Sequence, residues 1–171
     1  VEKYEIDAPN IDWEDLSASS SKLFIGDFGN NNNTRKDLKI LILEKDSMST
    51  SAKNGVQVIN FHYEDQTSFP PPQNQLHFDC EALAYYSDSL YLFTKNRATP
   101  NTGLTKMYVL PAKPGTYVAR LRDSTTYYQV RRELSWITSA DIKGNQLLLL
   151  SSSDARALTI QEDIRLGVVQ R

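Results

Sequence analysis

The stretch Asn10-Ile-Asp-Trp-Glu-Asp-Leu16 leads into the strand-like sequence Lys22-Leu-Phe-Ile-Gly-Asp-Phe28. Two later stretches follow the same pattern: Phe78-Asp-Cys-Glu-Ala-Leu83 before Ser89-Leu-Tyr-Leu-Phe-Thr-Lys95, and Ile137-Thr-Ser-Ala-Asp-Ile142 before Gln146-Leu-Leu-Leu-Leu150. Aligned on their last residues, the three stretches lie 67 and 59 residues apart. This spacing is too long for a helical solenoid repeat and suits a four-stranded sheet with loops. The sequence therefore predicts β-propeller blades.

The predicted fold is all-β, with about three blades of four antiparallel strands in one domain, residues 1–171. The blade units are expected at residues 7–67, 76–130 and 134–171, and residues 1–6 as an outer strand of a preceding blade. Propellers protect their edges by closing a ring of about four to eight blades, which three blades cannot do. The prediction is therefore a partial or open propeller, as half of a six-bladed ring completed by a second copy, as a fragment, or with its edges covered in another way.

Composition excludes several classes of protein. The chain has 171 residues, of which 40% are hydrophobic and 23% charged, as in an ordinary globular protein rather than a disordered one. Nineteen basic and 21 acidic residues give a net charge of −2, which disfavours binding to nucleic acid or to an anionic membrane. Apolar runs such as Leu147–Leu150 are far shorter than the roughly 20 residues of a membrane span. Cys80 stands alone, so no intramolecular disulfide is expected.

Six carboxylates occupy the starts of the three aligned stretches: Asp12, Glu14, Asp15, Asp79, Glu81 and Asp141. In a propeller the innermost strand of each blade begins near the central channel, so these side chains are predicted to converge on one opening. Converging carboxylates repel one another unless a cation neutralises them, and hard oxygen ligands suit calcium or magnesium. Calcium is therefore the predicted cofactor. The alternative is that the acids accept backbone N–H bonds and tie neighbouring blades together.

Basic and amide side chains near these acids leave open whether the acids bind a metal ion or pair with groups of the protein itself. Lys95 is expected to reach Asp79, Glu81 or Asp27, and such salt bridges would replace the metal. Asp27 and the loop that contains Asn30 supply oxygen ligands and backbone N–H groups. Arg35, beside that loop, can bind an anion or a carboxylate, or remain solvated. We therefore predict Asp27, Asn30, Arg35 and Lys95 as ligand or channel residues.

Histidine and serine motifs give weak support for catalysis. His62 and His77 are the two histidines, which excludes a zinc site made of several imidazoles within one chain. His77 lies two residues before Asp79 and is a candidate general base for ester hydrolysis. The sequence contains no Gly-x-Ser-x-Gly motif and no glycine-rich phosphate loop, so nucleophilic hydrolysis has little support.

The passage Asn10-Ile-Asp-Trp-Glu-Asp-Leu-Ser17, with Leu23-Phe-Ile-Gly-Asp-Phe-Gly-Asn-Asn31 and Arg35-Lys-Asp-Leu-Lys-Ile40, resembles a family of secreted bacterial β-propeller proteins. Its pattern is similar to those of the phytase-like esterase and six-bladed TolB-like groups. The resemblance implies a propeller fold and a secreted, periplasmic or cell-surface location. It implies no particular reaction, because a fold does not fix a function.

Three functions remain open from the sequence. The first is a non-enzymatic, extracytoplasmic binding module that presents a carboxylate-lined channel to a protein, glycan or cation. The second is a calcium-assisted phosphoester or ester hydrolase of the phytase-like type, in which Asp12, Glu14, Asp79, Glu81 and Asp141 hold the metal and His77 or a metal-bound water transfers the proton. The third is a structural fragment whose acids only hold blades together.

Overall fold

A computed structural model describes residues 3–49, 55–126, 136–160 and 164–166. These residues form eleven strands: β1 (Trp13–Ala18), β2 (Lys22–Asp27), β3 (Lys39–Glu44), β4 (Gln57–Tyr63), β5 (Asp79–Tyr86), β6 (Ser89–Lys95), β7 (Leu104–Pro111), β8 (Gly115–Thr126), β9 (Ile137–Lys143), β10 (Gln146–Ser151) and β11 (Ala155–Thr159). Two short 3-10 helices cover Lys45–Ser49 and Gln73–Gln75. None of the described segments is a helix long and apolar enough to cross a membrane.

The first eight strands form one mixed sheet. Strands β1 to β4 pair antiparallel in chain order, and so do β5 to β8. The two halves join where β4 pairs parallel to β8, with Ile59 opposite Gly115 and Tyr63 opposite Ala119. The strand order is therefore β1-β2-β3-β4-β8-β7-β6-β5, with β1 and β5 as its two edges.

These two edges lie side by side, so the sheet is nearly closed and barrel-like. Side chains of β1 replace a backbone ladder between them. The Asp15 carboxylate accepts a hydrogen bond from the Leu83 N–H at 3.0 Å, and the Ser17 hydroxyl oxygen accepts one from the Tyr85 N–H at 2.9 Å. Because successive residues of a strand point to opposite faces, two side chains two residues apart can serve two alternate N–H groups of the facing strand.

Three apolar clusters hold the sheets together. The largest lies between the two halves of the eight-stranded sheet, where Phe24 stacks on Tyr85 with ring centroids 5.4 Å apart. A second joins β5–β7 to the separate three-stranded sheet, whose order is β11-β10-β9. The third lies on the other face of β2 and β3, where Ile6, Ala8 and Met48 pack against it. Burial of these side chains contributes roughly 25 cal/mol per Å² of apolar area.

The prediction of an all-β protein is confirmed, and the prediction of β-propeller blades is wrong. The parallel pairing of β4 with β8 merges eight strands into one nearly closed sheet, where separate four-stranded blades were expected. The last sheet has three strands among the described residues instead of four. Residues 3–6 form no strand, and residues 1–2 lie outside the described residues. Half of a six-bladed ring is therefore not the architecture of this chain.

Candidate functional site

Charged side chains form a cluster where the ends of strands β1, β2, β5 and β6 lie close together. The antiparallel register places Trp13 of β1 opposite Asp27 of β2, and Asp79 of β5 opposite Lys95 of β6. Because the edge strands β1 and β5 are neighbours, the start of hairpin β1–β2 lies beside the start of hairpin β5–β6. We call the resulting group the charged rim: Asp12, Glu14, Asp27, Asp79, Glu81, Arg35, Lys39, Lys95 and Arg97.

Asp27 is the buried centre of one half of the charged rim. Its side chain is fully buried and pairs with Arg35 Nη2 at 3.0 Å and Lys39 Nζ at 3.3 Å. It also accepts a hydrogen bond from the Asp12 N–H at 3.1 Å. Arg35 Nη1 donates to the Gly29 carbonyl oxygen at 2.9 Å, so this guanidinium holds the loop to the strand. Asp27 and Arg35, predicted as ligand residues, are engaged in this internal network.

Asp79 and Glu81 form the centre of the other half. Arg97 Nε lies 2.7 Å from Asp79 and its Nη2 lies 3.5 Å from Glu81, while Lys95 Nζ lies 2.8 Å from Glu81. The Asn30 N–H donates to the second oxygen of Asp79 at 2.7 Å. The predicted salt bridge from Lys95 is therefore confirmed, with Glu81 as its partner. Internal cations neutralise both acids.

Asp12 and Glu14 differ from the other acids of the charged rim because no described residue forms an ion pair with either. Both press against Gly29, where a Cβ atom would lie 2.3 Å from Glu14 Oε1 and 2.4 Å from Asp12 Oδ2. Any larger residue at position 29 would displace these two carboxylates. Burial, followed by the negative charges of Glu81 and Asp12, raises the pKa of Glu14 to about 7.

Glu14→Gln is expected to stabilise the protein at alkaline pH and to change little at acidic pH. A carboxyl whose pKa is raised to about 7 on folding from 4.5 gives stability that is present below pH 4.5 and lost as the pH rises through 7. Because Glu14 is only partly buried, we expect a gain of about 1 kcal/mol at pH 8, well below the full linkage value. Thermal unfolding of both proteins at pH 4.5 and pH 8 measures this. An equal difference at the two pH values would contradict the raised pKa.

Asp15 and Asp141 lie away from the charged rim. Asp15 accepts hydrogen bonds from the backbone N–H groups of Leu83 and Ala140, at 3.0 and 3.3 Å. Asp141 is exposed on β9 and accepts one from the Ile142 N–H at 2.8 Å. A register irregularity between Trp13 and Asp15 separates Asp15 from the acids before it. For Asp15, the sequence alternative in which acids tie neighbouring strands describes what the structure shows.

The six predicted metal ligands are thus divided among three environments. Asp12 and Glu14 are adjacent, Asp79 and Glu81 are ion-paired, and Asp15 and Asp141 bind backbone N–H groups. Within residues 3–49, 55–126, 136–160 and 164–166, no group of three or more His, Cys, Asp or Glu side chains is placed to hold a metal ion. Calcium binding stays a prediction.

Arg97 and Trp136 belong to this region and were not predicted as site residues. The Trp136 ring centroid lies 4.9 Å from Lys95 Nζ and 5.3 Å from the Arg97 guanidinium carbon, so the ring contacts both cations. Arg97 lies two residues after Lys95, beyond the end of β6, so strand alternation does not predict its position. No pattern within the sequence marks Trp136, because its partners come from another sheet.

A polar cleft of about 450 Å³ lies beside Arg97. One wall is the loop after β2 and the other is the proline-rich segment before β5. The lining residues are Asn31, Asn32, Thr34, Pro70, Pro71, Gln73, Leu76 and Arg97. The cleft therefore offers amides, a hydroxyl and a guanidinium above two proline rings and a leucine.

Buried amides fix the loop that forms the first wall. Asn30 is 2% exposed, and its Nδ2 donates to the Phe78 carbonyl oxygen at 3.2 Å. Asn33 is fully buried with a φ of 54°, and its Oδ1 accepts from the Phe78 N–H at 2.8 Å. Asparagine tolerates this left-handed conformation better than most residues. Predicted as a ligand residue, Asn30 instead anchors the loop, while Asn31, Asn32 and Thr34 face the cleft.

His77 is half-buried beside Lys106. Burial, followed by the positive charge of Lys106, lowers the pKa of its imidazole, which is therefore neutral at pH 7. Its Nδ1 is buried and has no hydrogen-bond partner among the described residues. Cys80, the free cysteine, is buried in the core and is not an accessible nucleophile. The role of His77 as a general base stays a prediction.

Comparison with known proteins gives little beyond the structure itself. No family model matches the chain, and no curated protein matches it. A crystal structure of the computationally designed Ika4 protein is similar, with a TM-score of 0.38 and 12% sequence identity, over 92% of this chain and 96% of that one. Similarity at this level supports no inference about function.

The expected membership of a secreted β-propeller family is wrong. The stretches that carried the resemblance belong to a nearly closed mixed sheet of eight strands and to a three-stranded sheet. The similar motifs at Asp12-Trp-Glu-Asp15 and Asp79 have different roles: Asp15 accepts a hydrogen bond from a backbone N–H of β5, whereas Asp79 forms an ion pair with Arg97. The location outside the cytoplasm stays a prediction.

Proposed function

We propose that this protein is a non-enzymatic binding module that holds a segment of a glycan in the polar cleft. The observation that carries the proposal is the cleft itself, about 450 Å³ with five polar side chains on its walls: Asn31, Asn32, Thr34, Gln73 and Arg97. Amides and hydroxyls donate and accept hydrogen bonds, as sugar hydroxyl groups do. The exposed ring of Pro70 supplies apolar surface on which the C–H face of a sugar can lie, whereas Pro71 lines the cleft but is buried.

Preorganisation supports this proposal. The loop that carries Asn31, Asn32 and Thr34 is fixed from below by Asn30 and Asn33, so its exposed side chains need little further ordering when a ligand binds. Fixing flexible groups beforehand raises affinity, because less conformational entropy is lost on binding. Exposed polar residues on a rigidly anchored loop are typical of binding sites.

The charged rim contributes one residue to the cleft. Arg97 lines the cleft and is held from behind by Asp79, Glu81 and the Trp136 ring. Its Nη2 also donates to Asn31 Oδ1, which orients that amide. The rim therefore positions an arginine for the ligand while neutralising most of its charge. In this interpretation the ion pairs support binding and do not carry out a reaction.

The double variant Asn32→Ala with Thr34→Val tests the cleft. Both side chains are exposed on the loop and line the cleft, so their loss should leave the fold intact. Two lost hydrogen bonds of about 1 kcal/mol each predict affinity reduced about 10-fold or more. The measurement is titration calorimetry with the neutral or uronic oligosaccharide that the unchanged protein binds best in a glycan array.

The matched control is Asn60→Ala with Thr67→Val, which removes the same chemical groups from exposed positions outside the cleft lining. This control should bind like the unchanged protein. If the unchanged protein binds no oligosaccharide at millimolar concentration, the proposal is wrong. Equal losses in both double variants would place the binding site elsewhere.

A further inference from the structure

Two adjacent side chains of the polar cleft, Arg97 and Asn31, present hydrogen-bond donors that the described part of the chain does not use. Arg97 Nε donates to Asp79 at 2.7 Å, and its Nη2 donates to Asn31 Oδ1 and, at 3.5 Å, to Glu81. Arg97 Nη1 has no hydrogen-bond partner among the described residues. Because the Oδ1 of Asn31 is engaged, its Nδ2 group is left with two donors and no described acceptor. Nη1 and Nδ2 therefore offer donors side by side.

These two donors favour a carboxylate over a hydroxyl group as the partner. A sugar hydroxyl both donates and accepts, whereas an ionised carboxylate only accepts and has two oxygens with which to do so. It can therefore accept from Arg97 Nη1 and Asn31 Nδ2 at the same time. A hydrogen bond between a guanidinium and a carboxylate is also roughly twice as strong as one between neutral groups.

The distribution of charge around the cleft is consistent with an acidic partner. Among the described residues that line the cleft, Arg97 is a cation and none is acidic. Behind the lining, the charges of Asp79 and Glu81 are balanced by those of Arg97 and Lys95. The two acids of the charged rim that have no described ion pair press against Gly29 and do not line the cleft. No acidic side chain of the described lining therefore competes with an incoming carboxylate for Arg97.

A second cation, Lys36, lies at the edge of the cleft. Its Nζ lies 5.0 Å from the centroid of the Phe69 ring. Lys36 follows Thr34 of the first wall by two residues, and Phe69 directly precedes Pro70 of the second wall. The contact thus joins the two walls and keeps an ammonium group beside the cleft. Lys36 is exposed and forms no ion pair with any described residue, so its charge remains available to attract an anion.

We propose that the glycan held in the polar cleft contains a uronic acid, whose carboxylate accepts hydrogen bonds from Arg97 Nη1 and Asn31 Nδ2. This inference rests on the proposed function and adds the chemical class of the sugar. Gln73 serves the hydroxyl groups of the same glycan, because its Nε2 donates to Thr99 Oγ1 at 3.3 Å and its Oε1 is left to accept. Lys36 adds attraction at longer range.

Matched pairs of oligosaccharides test the carboxylate without any change to the protein. The probes are tetramers of galacturonate, mannuronate and guluronate, and the neutral tetramers that carboxyl reduction gives from them. Titration calorimetry at neutral pH should show at least one acidic tetramer binding about 10-fold tighter than its neutral counterpart. Equal or tighter binding of the neutral tetramers, or a neutral glycan of the array bound and no acidic tetramer, would overturn this inference alone. Binding of no glycan at millimolar concentration would overturn the proposed function as well.

Asn31→Asp tests the place of the carboxylate. The variant replaces the Nδ2 donors with a negatively charged acceptor and keeps an oxygen for Arg97 Nη2, and position 31 is exposed, so the fold should be kept. Affinity for the acidic tetramer should fall about 10-fold or more. Asn60→Asp is the matched control, since it adds the same charge at an exposed position outside the cleft lining and should bind like the unchanged protein. Undiminished binding by folded Asn31→Asp would overturn the inference. Arg97 is kept in all variants, because its Nε pairs with buried Asp79.

Lys36→Gln tests the second cation. Because this charge is exposed, its loss should weaken binding of the acidic tetramer about 2- to 5-fold, and by less at high salt. Lys113→Gln is the control, since exposed Lys113 lies in the turn between β7 and β8, outside the cleft lining, and should have no effect. Circular dichroism shows whether each variant is folded. Equal losses in the two lysine variants would overturn the placement of the acidic sugar beside Lys36.

Discussion

Asp27→Asn is expected to lower the free energy of unfolding by about 3–5 kcal/mol, the cost of removing one partner from a buried ion pair. The side chain of Asp27 is fully buried, while those of Arg35 and Lys39 are 15% and 16% exposed. The variant leaves these two cations beside a neutral amide. Chemical denaturation of the purified protein at neutral pH measures the change.

Asp37→Asn is the matched control, since Asp37 pairs with the same Arg35 at 3.1 Å but its side chain is 57% exposed. An exposed pair contributes about 0–1 kcal/mol, so this variant should unfold almost like the unchanged protein. Comparable losses for Asp27→Asn and Asp37→Asn would show that burial does not determine the strength of the Asp27 network.

The individual strands could be predicted from local pattern. Runs such as Val56–Tyr63 and Leu90–Thr94 combine β-branched or aromatic residues with nearby turn signals, and the structure has β4 and β6 at those places. Alternation predicts which face a side chain occupies, because that depends only on the strand itself. These local signals fixed the all-β class correctly.

The pairing of the strands could not be predicted from local sequence patterns. The alternation within β8, Gly115–Thr126, is the same whether a strand lies parallel or antiparallel to β4. The choice depends on how Ile59 and Phe61 pack against residues from other strands, which no local window contains. Recurrence of similar stretches therefore suggested independent blades, whereas the long-range β4–β8 contact joins eight strands into one sheet.

The candidate site was predicted in part. Sequence placed Asp79, Glu81 and Lys95 near one another, and the structure brings them together through the antiparallel pairing of β5 with β6. Sequence patterns did not predict Arg97 and Trp136, because their roles depend on contacts between separate elements. The cleft was missed for the same reason, since its walls come from two segments that are about 40 residues apart in the chain.

Asp15→Ala is expected to cost about 2–4 kcal/mol of stability, because buried N–H groups left without an acceptor cost about 1–3 kcal/mol each. Its carboxylate is the acceptor for the N–H groups of Leu83 and Ala140, and Ser139 Oγ also lies within 3.4 Å of it. One side chain thereby connects β1 with β5 and β9, which have no backbone ladder to β1. Burial raises the pKa of Asp15, so the charged form is held at a cost.

Because burying the charged carboxylate is costly, replacements of Asp15 should lower the stability by graded amounts. Asp15→Asn keeps one acceptor oxygen and avoids burying a charge, so it should lose about half as much stability as Asp15→Ala. Asp141→Ala is the matched control, because exposed Asp141 accepts only the Ile142 N–H among the described contacts. Its loss should stay within about 0.5 kcal/mol. Denaturant midpoints of the three variants decide the matter. If Asp15→Ala were as stable as Asp141→Ala, the edges of the eight-stranded sheet would be held together by apolar packing, and the Asp15 carboxylate would be dispensable for closing it.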